Sequence, residues 1–208
     1  MNDKIIICIG RQLGSGGRII AKKLADEFNC RLYDKELLNL AAKESGFSEK
    51  FFEQNDERKA FIKSRFFQRF AHVGDVNFYR NTFSEDSLFQ FQSEAIRKAA
   101  KDNSCVFVGR CADYVLREDP DTVGIFITAD MEDRIKRVKE RRQCSEDTAR
   151  HIIQRGESQR ASYYNFYTGK HWGESSSYDL CINSSTLGIE STAQLIADYV
   201  RKRKRCEP

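Results

Sequence analysis

The chain is predicted to be an α/β protein built on a parallel sheet, and three observations carry that prediction. Five short runs, Lys4–Ile9, Arg31–Tyr33, Cys105–Val108, Gly124–Thr128 and Leu180–Asn183, are apolar or β-branched with little alternation, as strands covered on both faces require. Helical patterns separate them, and strand alternating with helix is the mark of a parallel sheet. The first run leads straight into a glycine-rich turn that opens a helical pattern.

The elements follow in order. Lys4–Ile9 ends at the turn, and Gly17–Phe28 places Ile20, Leu24 and Phe28 on one helical face. Arg31–Tyr33 is followed by Asp34, a residue suited to cap the helix that would start at Lys35. No strand is legible between this run and Cys105. Phe51, Phe52, Phe61, Phe66, Phe67, Phe70, Phe78 and Phe83 lie there among basic residues, so the segment reads as a helical insertion with its own small apolar face, ending in a helix Asp86–Lys101. A second insertion-like region, Glu140–Ser177, is rich in arginine and tyrosine, and Ile189–Arg203 places Ala193, Ile196 and Val200 on one face. Repeats and low-complexity segments are absent.

A length of 208 residues suits one domain, and 40% hydrophobic with 32% charged residues suits a globular chain. The apolar run near the N-terminus is too short for a signal-peptide core or a membrane span, so a cytoplasmic protein is expected. The seven cysteines make no C-x-x-C and no zinc pattern with His72, His151 or His171. Cys8, Cys105 and Cys181 lie in apolar runs and read as reduced core residues. The net charge of +4 is small, and the tail Arg201–Arg205 reads as a solvated helix end. Together with the aromatic–basic stretch 61–83 it is the only feature that would suit nucleic acid, which is not expected to be a partner.

The turn carries the chemistry. Gly14, Ser15, Gly16 and Gly17 between a strand and a helix would aim backbone N–H groups and the positive helix end at an anion. The full phosphate-loop pattern, G-x-x-x-x-G-K-[ST], puts a lysine on the β/γ-phosphates. Here Gly17 stands at the lysine position and Arg18 is the nearest cation in sequence.

Six pieces, in order, extend this reading: GRQLGSGGRIIAKKLA, RLYDKELLNLAAKESG, VFVGRCADYVL, IFITADMEDRIKRV, RASYYNFYTGKHW and YDLCINSSTLGIES. Together they resemble the cytidylate kinase-like family, within the nucleoside monophosphate kinases, over most of the chain except residues 48–85. The resemblance implies a P-loop NTPase fold: a five-stranded parallel sheet flanked by helices, with a helical substrate-binding insertion and an arginine-bearing lid. The single domain would divide into a core (1–47, 100–139 and 176–208), an insertion (48–99) and a lid (140–175). It also implies transfer of the ATP γ-phosphoryl group to a nucleoside monophosphate, CMP or dCMP by default, with magnesium accompanying ATP.

Candidate residues follow from position and from the resemblance. Gly14, Ser15, Gly16, Gly17 and Arg18 would hold the donor phosphates. Arg110 ends the third run, where ligands of open α/β sheets bind, and the family's G-R element places such an arginine on the acceptor phosphate; its alternative is an exposed strand-end arginine. Asp34 corresponds to a family carboxylate near the reacting phosphates, where it could orient acceptor or magnesium, or it serves only as a cap. Among Arg134, Arg137, Arg141, Arg142, Arg155 and Arg160, the three favoured as lid cations are Arg137, Arg155 and Arg160; the others would pair with Glu132, Glu140, Glu146 and Glu157. Tyr163, Tyr164, Tyr167 and Trp172 read as lid packing rather than base stacking.

Departures accompany the matches. The loop lysine is missing, and its magnesium hydroxyl too unless Ser15 substitutes, since Ile19 falls at the threonine position. Val108, Cys111, Leu40 and Gln159 stand where the CMP kinases carry polar acceptor contacts, and Asp113 is the carboxylate available to replace a lost one. The competing reading is therefore a nucleotide-binding regulator of the same fold with weak or no catalysis. The metal ligands are not legible.

Overall fold

The computed structural model describes residues 4–34 and 85–205. The aromatic segment 48–83, Leu40 and the helix start at Lys35 lie outside the described residues. The chain clusters into two compact units, Met1–Lys35 with Ala99–Pro208, and Glu36–Lys98. The first contains the sheet. Of the second, the described part is the helix run to Lys98.

Strands β1 (Ile6–Arg11), β2 (Arg31–Tyr33), β3 (Cys105–Val108), β4 (Thr122–Thr128) and β5 (Leu180–Asn183) form one sheet in the order β2-β3-β1-β4-β5. All pairs are parallel; Ile7 lies beside Val106 on one side and Val123 on the other. Helix α1 is Gly17–Glu27 and α2 is Glu85–Asp102; α3 (Ala112–Val115), α4 (Met131–Arg142), α5 (Glu146–Thr168) and α6 (Ser184–Arg205) follow. A five-stranded parallel sheet flanked by helices was expected, and it is present. Two bounds shift with consequence: β1 runs two residues past Ile9, and α6 starts at Ser184 with a break at Gly188 (φ 75°, ψ 171°).

One face of the sheet buries Ile7, Ile9, Val106, Val108, Ile125 and Ile127 against Ile20 and Leu24 of α1 and Ile196 and Val200 of α6. Removing such side chains from water stabilises the fold by about 2 kcal/mol each. A smaller cluster, Ile135, Val138, Ala149 and Ile153 with Leu13, joins α4 to α5 and to the glycine-rich loop. Local signals fit these helices. Ser145 caps α5 by accepting from the Thr148 N–H, and Glu146 and Asp147 follow in its first turn. Gly169, at φ 68°, ends it.

Two expectations are corrected here. Cys181 is exposed on β5, the edge strand beside β4, whereas Cys8 and Cys105 are buried as expected. The basic tail is not merely solvated. Arg201 pairs with Glu27 and Asp198, Arg203 donates to the Thr122 carbonyl at 2.6 Å, and Lys204 meets Asp121 at 2.6 Å. These bonds tie the end of α6 to α1 and to the start of β4. Among the described residues, no helix is long and apolar enough to cross a membrane.

Candidate active site

The loop between β1 and α1 sits at the carboxyl end of the central strand, between its neighbours β3 and β4. Open parallel sheets bind ligands there. Gly14 (φ 89°) and Gly16 (φ 78°) take left-handed backbone that side chains disfavour. Close packing adds a second requirement. A Cβ on Gly14 would stand 2.7 Å from the Arg134 carbonyl oxygen, and one on Gly16 would collide with Ile189. The break at Gly188 thus brings Ile189 to the loop.

Polar anchors fix the same turn. Ser15 is fully buried; its hydroxyl donates to the Gln12 carbonyl at 3.0 Å, and its own carbonyl accepts from Ser184 at 2.7 Å. Gln12 accepts from the Ala129 N–H at 3.1 Å. Arg134, 4% exposed, donates to the Leu13 carbonyl at 3.0 Å and pairs with Glu157. Arg137 donates to the Gly14 carbonyl at 3.1 Å. The Ser15 N–H also donates to the Gln12 carbonyl, at 3.3 Å, so the loop's shape is set by bonds on its own carbonyls and side chains, with the first turn of α1 directly after it.

Arginines surround the loop. Arg18, on the exposed side of α1, pairs with Asp34 at 2.5 Å, so these two candidates meet each other. Arg110 follows Gly109 in a run of three left-handed residues, Gly109 (φ 73°), Arg110 (φ 61°) and Cys111 (φ 55°). Such backbone is sparsely populated and tends to occur at functional sites. The turn is anchored by the Gly109 N–H donating to the Ile9 carbonyl at 2.9 Å, and the Arg110 guanidinium lies 5.2 Å from the centre of the Tyr163 ring. Arg160 reaches from α5 to donate to the Arg11 carbonyl at 2.9 Å. Burial lowers its pKa, with Glu157 opposing. Arg155 is exposed.

Arg11 was not expected. It ends β1, its stem packs against Gly17 and its guanidinium against Gly109. Burial lowers its pKa to about 9, and Arg160, Arg110 and Arg18 push in the same direction while Asp34 opposes. The structure thus gathers Arg11, Arg18, Arg110 and Arg160 around one loop; Arg137 braces the loop's backbone, and Arg155 lies exposed on α5. A signal was present in the sequence: an arginine closing an otherwise apolar strand directly before a glycine-rich turn.

Asp113 on α3 accepts from the Tyr164 hydroxyl at 2.7 Å, and Tyr164 stacks on Tyr178 with centroids 6.1 Å apart. Trp172 meets Phe126 edge-on at 5.1 Å. These aromatics pack the end of α5 against the sheet. Burial raises the Asp113 pKa, and the Tyr164 hydrogen bond partly offsets this. A carboxyl raised on folding weighs against stability when ionised; the effect is absent below its unfolded value and full above its folded one. Asp113→Asn should therefore raise Tm at pH 7, with the gain fading toward pH 4. A lower Tm at pH 7 would contradict this. The Cys111 thiol is buried and pushed up to about 12 by that burial and by Asp113, which removes it as a nucleophile.

The departures from the CMP kinase pattern have a structural counterpart. Val108 and Cys111 are 1% and 2% exposed, so neither can touch an acceptor, and Gln159 is exposed on α5. Among the described residues no group of three or more acidic, histidine or cysteine side chains could hold a metal.

The strand order, the loop and its helix define the P-loop kinase fold. Structures of shikimate kinases from Bacteroides thetaiotaomicron (TM-score 0.52, 13% identity, 95% of this chain and 98% of that one) and Acinetobacter baumannii in complex with shikimate (0.51, 11%, 97% and 94%) share that fold. The crystal structure of an uncharacterized protein from Eubacterium ventriosum is 32% identical over 95% of this chain and 99% of its own, with a TM-score of 0.74. A model of the cytidylate kinase-like family matches residues 6–186, and the chain belongs to that family. No curated protein matches it.

Proposed function

We propose that the protein transfers the γ-phosphoryl group of ATP to a small phosphorylated acceptor, with CMP or dCMP the first to test. The observation that supports this most is the convergence of an amide-lined loop and four arginines at the carboxyl end of β1 and β3. Phosphoryl transfer asks little covalent chemistry of a protein; it asks for positioning and for cations on the moving oxygens. The Gly14–Arg18 amides would receive the donor phosphates, with the Gly14 and Ser15 carbonyls turned to Arg137 and Ser184; the Ser15 N–H would leave the Gln12 carbonyl to take part. Arg110 would hold the acceptor phosphate, with the fork geometry that suits bidentate contact. Arg160, tied to β1 through the Arg11 carbonyl, would stabilise the transferring group when α5 and its neighbours exclude water; Arg137 would act by holding the loop, and Arg155 would need to move to take part.

Magnesium would supply charge neutralisation to the donor phosphates. Such ions are commonly held by phosphate oxygens, waters and one or two carboxylates; Asp34 fits that role if Arg18 releases it, whereas Ser15 is committed to Gln12. A test of ATP-Mg with a panel of nucleoside monophosphates should yield diphosphate from at least one. No diphosphate from any member would contradict the proposal.

The buried Val108 and Cys111 favour a second reading, a nucleotide-binding regulator of this fold. Calorimetry separates the two: the regulator binds ATP or CMP without turnover.

A further inference from the structure

We infer that Arg11 supplies to the donor phosphates the cation that the loop lacks at position 17. The inference rests on the proposed function and names the residue that completes its donor site.

Three observations lead to it. Gly17 stands at the lysine position, and a Cβ there would lie 2.7 Å from the Arg11 Cβ and 3.0 Å from its Cγ. A side chain at 17 and the arginine at 11 therefore exclude each other, and this chain keeps the arginine. Past Gly17, the Arg11 guanidinium rests against Gly109, the residue before Arg110, so the side chain runs from the donor loop to the end of β3 and its charge lies between the two. Arg18, the nearer cation in sequence, is committed differently: its side chain is 66% exposed and bonded to Asp34. The contrast decides between them.

Charge supports the assignment. Among the described residues no carboxylate lies within ion-pair distance of Arg11; Arg160, Arg110 and Arg18 act against its positive form, and Asp34 offsets them only in part. An unbalanced cation in a partly desolvated place is destabilising until an anion arrives. A polyphosphate that binds the folded protein would relieve it, which also raises stability by linkage. A purely structural arginine would instead be tied to acceptors of the protein itself.

The test titrates sodium tripolyphosphate and ATP-Mg into wild type, Arg11→Met, Arg11→Lys and Arg18→Met by isothermal calorimetry. Arg11→Met should weaken both ligands about tenfold or more, as expected for loss of a charge-assisted bond. Arg18→Met should lose less, and Arg11→Lys should recover part of the binding. In phosphate-free buffer Arg11→Met should melt no lower than wild type, which a structural role would not allow. Wild-type affinity in Arg11→Met, or a larger loss in Arg18→Met, overturns the inference and leaves the proposed function standing. A wild type that binds neither ligand overturns both. If Arg11→Met does not fold, phenylglyoxal labelling of the wild type decides: tripolyphosphate should protect Arg11, and unchanged labelling at saturation would overturn the inference.

Discussion

Gly14→Ala is expected to cost about 3 kcal/mol of stability, whereas Gly169→Ala costs about 1 kcal/mol. Both glycines have positive φ, 89° and 68°, so both substitutions impose backbone strain. They differ in surroundings. A Cβ on Gly169 meets nothing within 4 Å, but one on Gly14 meets the carbonyl oxygen, Cα and Cβ of Arg134 at 2.7–2.9 Å. Arg134 cannot give way, because its guanidinium is buried and bonded to both the Leu13 carbonyl and Glu157. The loop must shift instead, and its amides lose their common direction. Thermal unfolding should show a drop of about 6–12 °C for Gly14→Ala, at roughly 2–4 °C per kcal/mol for a chain of this size. Tripolyphosphate binding should be lost with it and kept in Gly169→Ala. Equal behaviour of the two variants would mean that α4 does not shape the loop.

Arg110→Gly should lower kcat/KM for the acceptor about 100-fold while leaving the melting temperature close to that of wild type. Arg110 holds a left-handed φ of 61° between two other left-handed residues, and glycine takes that conformation freely. The strain relieved is on the order of 1 kcal/mol, and the lost contact over the Tyr163 ring is of similar size. Stability is thus nearly balanced, while the cation aimed at the acceptor phosphate is gone. The loss should fall on the acceptor, with ATP affinity much less affected. A variant that melts far lower with unchanged kcat/KM would make Arg110 a structural residue.

Much of the fold was legible because continuous apolar runs at a glycine turn admit few architectures. Three of the five strands begin and end as read, and the two longer ones were read short at Arg11 and at Thr122. Those errors share a cause: a polar residue at a strand end looks like loop when only apolarity is followed. The cost was Arg11, whose place between Gly17 and Gly109 depends on parts of the chain far apart in sequence. The exposed Cys181 reflects a similar limit, since an apolar run does not reveal which strand lies at the edge. Arg110 was legible from its place after a strand, but not the left-handed turn that carries it. Arg137 was picked as a lid cation, and its bond to Gly14 gives it a loop-bracing place instead of a free one; spacing on α4 could not tell facing loop from facing solvent. The pairing of Arg18 with Asp34 was hidden for the same reason, because it joins α1 to the end of β2.

The central claim is that a loop without its lysine still supports transfer. The most direct measurement is phosphorus NMR of the wild-type protein with ATP-Mg and CMP. Equal amounts of ADP and CDP should accumulate, and neither should form without the protein. Unchanged ATP, or ADP with inorganic phosphate and no CDP, would contradict the claim for this acceptor; the same result across the nucleoside monophosphate panel would leave the regulator reading in its place.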